Sequence, residues 1–411
     1  MTSFRTLKTL SLCLLIGLSG SLTAAELSSS RPERQGMSSE RLAQLDAVLN
    51  SYVEDGLIAG QVVLVLRKGR ITFSATNGMR NIEAGLPMTE DTLFRIASQT
   101  KAIVSTGIMI LHERGDLDIS HPLSRYFPQW TDMEVAVASG NGSYNLETAR
   151  RAITIRNLLT HTGGMSYGSG PASREWEAAG FQGWYFADKN VPIGESIAQM
   201  GALPLDAHPG EQWIYGYNTD ILGAVIEKAS GKSLSEFLTE EIFEPLGMDD
   251  TQFYVSDAEA ERLATVYQPD GNGGIEAIPA TNGMRSQGLY IDGPNISFSG
   301  GAGLTSTAND YARFLQMTLN GGQLDGERIL SRKTIELMTT NHLGNIPFRA
   351  GQGFGLGFYV VTDLGLRGSL GSVGEYGWGG AYHSTYWVDP EEELVVVYLT
   401  QIIPATGLDD Y

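Results

Sequence analysis

The chain has 411 residues, with 47 acidic against 28 basic side chains and a formal net charge of −19. That balance excludes nucleic acid as a partner and argues against anionic membrane surfaces. A single cysteine, Cys13, in so long a chain means that stability must come from a large core rather than from disulfides.

The first 25 residues read as a secretory signal, not as fold. Arg5 and Lys8 precede an apolar run holding Leu10, Leu12, Leu14, Leu15, Ile16 and Leu18, and the small residues Thr23-Ala24-Ala25 close it. The run is too short to span a bilayer. Leu12 stands before Cys13 where a lipoprotein signal would carry a small residue. The expected product is residues 26–411, periplasmic or secreted, without membrane insertion, carrying 26 basic and 47 acidic residues. The pattern leaves the oligomeric state open.

Ser38 opens a helical pattern with Leu42, Leu45, Leu49 and Tyr52 on one side, ending near Gly56. Gln61 to Leu66 reads as a strand that turns at Lys68-Gly69 into Ile71-Thr72-Phe73. Next comes Phe94-Arg95-Ile96-Ala97, then Ser98-Gln99-Thr100-Lys101. A helix follows with Ile103, Val104, Ile108 and Leu111 on one face and a stop at Gly115-Asp116. Residues three apart on a helix share a face, so Lys101 can reach Ser98. An amine beside a hydroxyl is a base beside a nucleophile.

Arg156 to Thr160 is helix-like, and Gly164-Met165-Ser166-Tyr167-Gly168 matches the Gly-x-Ser-x-Gly pattern. That motif needs a strand-to-helix turn on a parallel sheet, which is missing here, so Ser166 reads as a decoy and His161 as a structural loop residue. Asp220 to Ala229 forms a helix ended by Gly231, Ser233 and Glu236 make a capping box, and Asn309 to Leu319 is a further helix. Phe354, Leu356 and Phe358 alternate with glycines as a strand. Tyr386-Trp387-Val388 reaches the turn Asp389-Pro390, Glu391 to Glu393 form a hairpin tip, and Leu394 to Leu399 is a buried strand. The whole predicts an α/β fold: a sheet lobe from about 26–97 and 300–411, a mostly helical lobe at about 98–299, and Ser98 at the junction, where ligands usually sit.

Two later segments join Ser98 and Lys101. Tyr215 stands on a loop just before the helix at Asp220, where a tyrosine beside a cation such as Lys101 can serve as a base. Gly377-Trp378-Gly379-Gly380-Ala381 lets backbone approach a ligand closely, so the Ala381 N–H can pair with that of Ser98 to hold an oxyanion. The six histidines are scattered, without metal-ligand spacing.

Ser-x-x-Lys, then Tyr, then Trp-Gly-Gly, in this order, resembles the serine β-lactamase and penicillin-binding-protein superfamily, and within it the family VIII carboxylesterases, relatives of class C β-lactamases. Leu93 to Ser98, Ile153 to Gly164 and Ser299 to Thr307 carry the resemblance further. It implies a β-lactamase-like fold, with Ser98 as acylated nucleophile, Lys101 assisting its deprotonation, and Tyr215 as base and leaving-group acid. The Ser98 and Ala381 amides would form the oxyanion hole, and no metal or cofactor would take part. The substrate would be a small-molecule ester or amide.

Departures from class C bear on substrate. Trp378-Gly379-Gly380 replaces Lys-Thr-Gly, and Tyr217 replaces the asparagine of Tyr-x-Asn, with Asn218 one residue late and expected to point elsewhere. Both favour neutral esters, with Trp378, Gly379, Gly380 and Tyr217 lining the substrate site. His383 stands either at its rim or on the surface. A β-lactamase, a D-Ala-D-Ala carboxypeptidase, an acyltransferase on the same residues, or a catalytically inert binding module are the alternatives.

Overall fold

The computed structural model describes residues 27–405 except 141, 282 and 285. The expected signal, Cys13 included, lies outside the described residues.

Eight strands form one antiparallel sheet: β1 (Gly60–Arg67), β2 (Arg70–Asn81), β3 (Leu86–Pro87), β4 (Gln352–Phe354), β5 (Tyr359–Val361), β6 (Tyr376–Gly379), β7 (Thr385–Asp389) and β8 (Leu394–Thr400). Their spatial order is β4-β5-β6-β7-β8-β1-β2-β3, so the two ends of the chain meet in the middle of the sheet. Gln61 faces Thr400 and Arg67 faces Leu394. The unbroken apolar run of β1 follows from cover on both faces. Val62, Leu64 and Leu66 enter the main core, while Val63 packs with Leu49 and Ala75 on the other side.

Helix α1 (Ser39–Glu54) supplies that outer cover, its Ser38 cap accepting the Arg41 N–H. Only part of its expected apolar stripe is used: Leu49 is buried, while Leu45 stays exposed. Helix α2 (Thr100–Arg114) differs from expectation in the other sense. Every residue from Thr100 to Leu111 is buried, polar ones included, and Gly115 ends it in the left-handed conformation. It is the central post of the molecule rather than an amphipathic surface helix. Each fully buried Ile or Leu on it contributes about 1.5–3 kcal/mol. Helix α3 (Asn218–Ser230) packs against α2, and α4 (Ala308–Leu319), capped by Thr307, packs against β8 and β1. The Ser233–Glu236 capping box has both of its bonds.

Two expectations are corrected. Phe354 to Phe358 is not one strand but a tight reversal between β4 and β5, closed by the Gly355 N–H to the Phe358 carbonyl at 2.8 Å. The glycines that looked like strand spacing make this turn. The region between the sheet halves also holds two hairpins, Glu134–Gly140 with Ser143–Thr148 and Tyr267–Pro269 with Ile275–Ala277. Among the described residues no helix is long and apolar enough to cross a membrane.

Candidate active site

Ser98 sits in a single 3-10 turn, Ala97–Gln99, that runs directly into α2. Ala97 holds φ +43°, left-handed for a residue with a Cβ, and this kink presents the serine. Ser98 is half-exposed while Ala97, Gln99 and Thr100 around it are buried. Beneath it, the buried Arg95 donates to the Ala264 and Gln287 carbonyls at 2.6 and 2.9 Å, tying two loops to the kink. Burial pushes that guanidinium below its ordinary range.

Lys101, one turn along α2 and 2% exposed, donates to Ser98 Oγ at 3.2 Å, Tyr167 OH at 3.0 Å and the Gly301 carbonyl at 2.7 Å. Three donors with three acceptors in place fix the amine against the serine. Asp220, fully buried on α3, holds the Gly301 segment: its Oδ1 accepts the Gly301 N–H at 3.0 Å and the Ser299 hydroxyl at 2.6 Å. Burial raises the Asp220 carboxyl, and the Lys101 charge opposes that rise. Its Oδ2 is buried without a hydrogen-bond partner.

Tyr215 comes to the same place from the loop before α3. Its ring, not its oxygen, faces the amine, with Lys101 Nζ 4.6 Å from the ring centroid. Its oxygen accepts the Trp378 indole N–H at 3.1 Å. Where class C carries a lysine, this chain places an indole N–H on the phenolic oxygen. His161 also packs against Tyr215, ring centroids 4.8 Å apart. Its Nδ1 accepts from the Asn218 amide at 3.1 Å, and that same amide nitrogen donates to the Ile214 carbonyl at 3.2 Å, which fixes its orientation. Burial, then the Lys101 charge, hold the His161 pKa well below its ordinary value, so the ring is neutral. Asn218 is thus turned inward, toward His161 and the Ile214 carbonyl.

The expectation for Tyr217 is corrected. It is fully buried, stacked on Trp176 at 5.6 Å, and its hydroxyl donates to the Gly183 carbonyl at 2.7 Å. It supports the loop behind the site instead of touching substrate, because the turn into α3 rotates it into the core. That loop delivers a residue the sequence reading missed: Trp184, half-buried and packed with Ala381 and Tyr382.

Trp378, Gly379 and Gly380 lie at the end of β6. A Cβ on Gly380 would stand 2.7 Å from the Ile96 carbonyl, so only glycine lets this strand end approach the Ser98 turn. Among the described residues the Ala381 N–H has no hydrogen-bond partner, and the Ser98 N–H belongs to the first turn before α2, where helix donors are unpaired. His383 has φ +65° and its ring lies 6.3 Å from that of Tyr398.

Tyr167 was also missed. It follows the decoy Ser166, and burial, with Tyr215 adding to it, raises its pKa well above the usual value. Ser166 itself is engaged in a turn: its N–H donates to Asp206 Oδ2 at 2.7 Å and its hydroxyl accepts from the Ser169 N–H at 3.0 Å. Among the described residues no group of three or more His, Cys, Asp or Glu is arranged to hold a metal ion.

A serine on a kinked helix entry, a buried lysine one turn later, a tyrosine whose ring faces that lysine and a glycine-rich strand end define a serine hydrolase of the β-lactamase type. The family model "Beta-lactamase" matches residues 45–409, and the chain belongs to that family. It is 32% identical to esterase EstB of Burkholderia gladioli, over 87% of this chain and 90% of EstB. It is 29% identical to lovastatin esterase of Penicillium rubens, over 88% of this chain and 94% of that one. Among solved structures, "EstCE1, a hydrolase with promiscuous acyltransferase activity" superposes with a TM-score of 0.74 at 28% identity, covering 90% of this chain and 96% of that one. These relatives, like the motif order, are those of a family VIII esterase-like serine hydrolase.

Proposed function

We propose that the chain is an exported carboxylesterase that cleaves small to medium acyl esters through a Ser98 acyl-enzyme. The observation that carries this reading is the 3.2 Å contact between Lys101 Nζ and Ser98 Oγ, in a site where Tyr215 and Trp378 meet. Ser98 Oγ attacks the ester carbonyl while its proton passes to the Lys101–Tyr215 pair. The carbonyl oxygen, now negative, takes the Ser98 and Ala381 N–H groups. Each such donor is worth about 10²–10³ in rate. The intermediate collapses, Tyr215 protonates the leaving alcohol, and water repeats the sequence on the acyl-enzyme. The half-buried Trp378 and Trp184 provide apolar walls, and the missing class C lysine supports esters over penicillin-like substrates.

The test is p-nitrophenyl butyrate hydrolysis by residues 26–411 and by Ser98→Ala. Turnover lost in the variant, together with a covalent mass adduct on Ser98 from a fluorophosphonate, is the expected result. Turnover kept in Ser98→Ala overturns it. Export is tested by mass spectrometry of the secreted product, with cleavage expected after Ala25.

A second reading is acyl transfer to an alcohol other than water. It is supported by the likeness to EstCE1 and uses the same residues, differing only in what enters the second step.

A further inference from the structure

The rim beyond Tyr215 carries a cation that nothing above has used. Phe348 and Arg349 lie on the loop just before β4. Phe348 packs on Trp213 with ring centroids 4.7 Å apart, and Trp213 stacks on Tyr215 at 5.8 Å. The Arg349 guanidinium stands 5.2 Å above the Trp378 ring and 5.3 Å above that of Phe348. Arg349 is exposed, and among the described residues no carboxylate lies within salt-bridge distance of it. The nearby Glu375 is buried and already taken by Arg367 at 2.8 Å and by the Tyr359 hydroxyl at 3.0 Å. An arginine without an acid partner thus lies over two aromatic rings at the edge of the site.

Stacking restrains the side chain while leaving its N–H edge free, and that edge matches a carboxylate in a two-pronged pair. The side of the site matters. Trp378 hydrogen-bonds Tyr215, the residue that hands a proton to the leaving alcohol in the proposed mechanism. The guanidinium therefore belongs to the alcohol side of the ester.

We propose that Arg349 selects esters whose alcohol portion carries a carboxylate, restoring from a different loop the cation that the Lys-Thr-Gly to Trp-Gly-Gly exchange removed. This rests on the Ser98 esterase reading. It modifies the expectation of neutral esters: the acyl side stays apolar, and the leaving group is anionic.

The test compares 4-acetoxybenzoate with methyl 4-acetoxybenzoate, two aryl acetates differing in one charge. The readout is the ratio of their kcat/KM values, in which intrinsic leaving-group differences cancel between variants. Arg349→Gln is expected to lower the ratio about tenfold, as for one hydrogen bond between charged groups. Arg349→Lys keeps the charge but not the two-pronged pair and so restores only part of it, Arg349→Glu lowers it further, and added salt narrows the gap between wild type and Arg349→Gln. A ratio that stays within about twofold in Arg349→Gln and Arg349→Glu overturns the proposal. Ser98→Ala run in parallel separates the two failures. Hydrolysis that survives Ser98→Ala defeats the esterase reading, whereas Ser98-dependent hydrolysis with a flat ratio defeats only the role of Arg349.

Discussion

Lys101 and Asp220 make no direct hydrogen bond; they grip the same residue from two sides. The Gly301 carbonyl accepts from Lys101 Nζ at 2.7 Å and the Gly301 N–H donates to Asp220 Oδ1 at 3.0 Å. The carboxylate on α3 thus sets the amine on α2 through an intervening backbone segment. A Cβ on Gly301 would stand 2.3 Å from Asp220 Oδ2. Gly301→Ala is therefore expected to displace this segment, lowering kcat by about tenfold or more and costing about 1–3 kcal/mol of stability. Paired kinetics and urea melts check both.

The indole N–H on Tyr215 gives a second prediction. Trp378→Phe keeps an aromatic wall but removes the donor. A hydrogen bond to an oxygen that gains charge is worth about 1.5–3 kcal/mol, so kcat/KM for p-nitrophenyl butyrate should fall about 10- to 100-fold. A fall confined to KM would mean that Trp378 acts only as a wall.

Tyr167 and Tyr215 both lie beside Lys101, and substitution separates their roles. Burial keeps the Tyr167 phenol protonated, so it holds the amine without acting as base. Tyr167→Phe should cost about tenfold in kcat. Tyr215→Phe should cost about 10²–10⁴, the range for a general base. The reverse order would move the base to Tyr167.

His161 predicts how stability changes with pH. Its folded pKa is depressed by burial, so the unfolded chain binds a proton more readily below the ordinary value of 6.5. Its contribution is present above that value and is lost as pH falls below it, by at most about 1.4 kcal/mol per pH unit. Urea midpoints at pH 7 and pH 5 should differ less in His161→Gln than in wild type. Equal differences would show that His161 does not titrate on unfolding.

That Ser98 and Tyr215 both reach Lys101 was legible because each sits at a helix entry with a recognisable local spacing, and the glycines of β6 announced a close backbone approach. Tyr217 was misread because register within the turn before α3, not spacing, decides which tyrosine faces the core. Tyr167, Trp184 and Asp220 were invisible as site residues. Each reaches the site through loop packing between segments far apart in the chain, and no periodicity marks such a residue. The burial of α2 on all sides was hidden for a related reason: the sequence marked one apolar face, through Ile103, Val104, Ile108 and Leu111, but the surrounding elements also cover Thr100, Ser105 and Thr106.

The pairing of Gln61 with Thr400 sets an order in time. While the chain is being synthesised, β1 waits without its central neighbour until the last strand leaves the ribosome. Ser98 and Lys101 are made early, but the strand end bearing Ala381 reaches them only when β6 to β8 close the sheet. A half-made chain therefore carries Ser98 and Lys101 without the segment that bears Ala381. In the proposed mechanism the Ala381 donor is therefore the last part of the site to arrive.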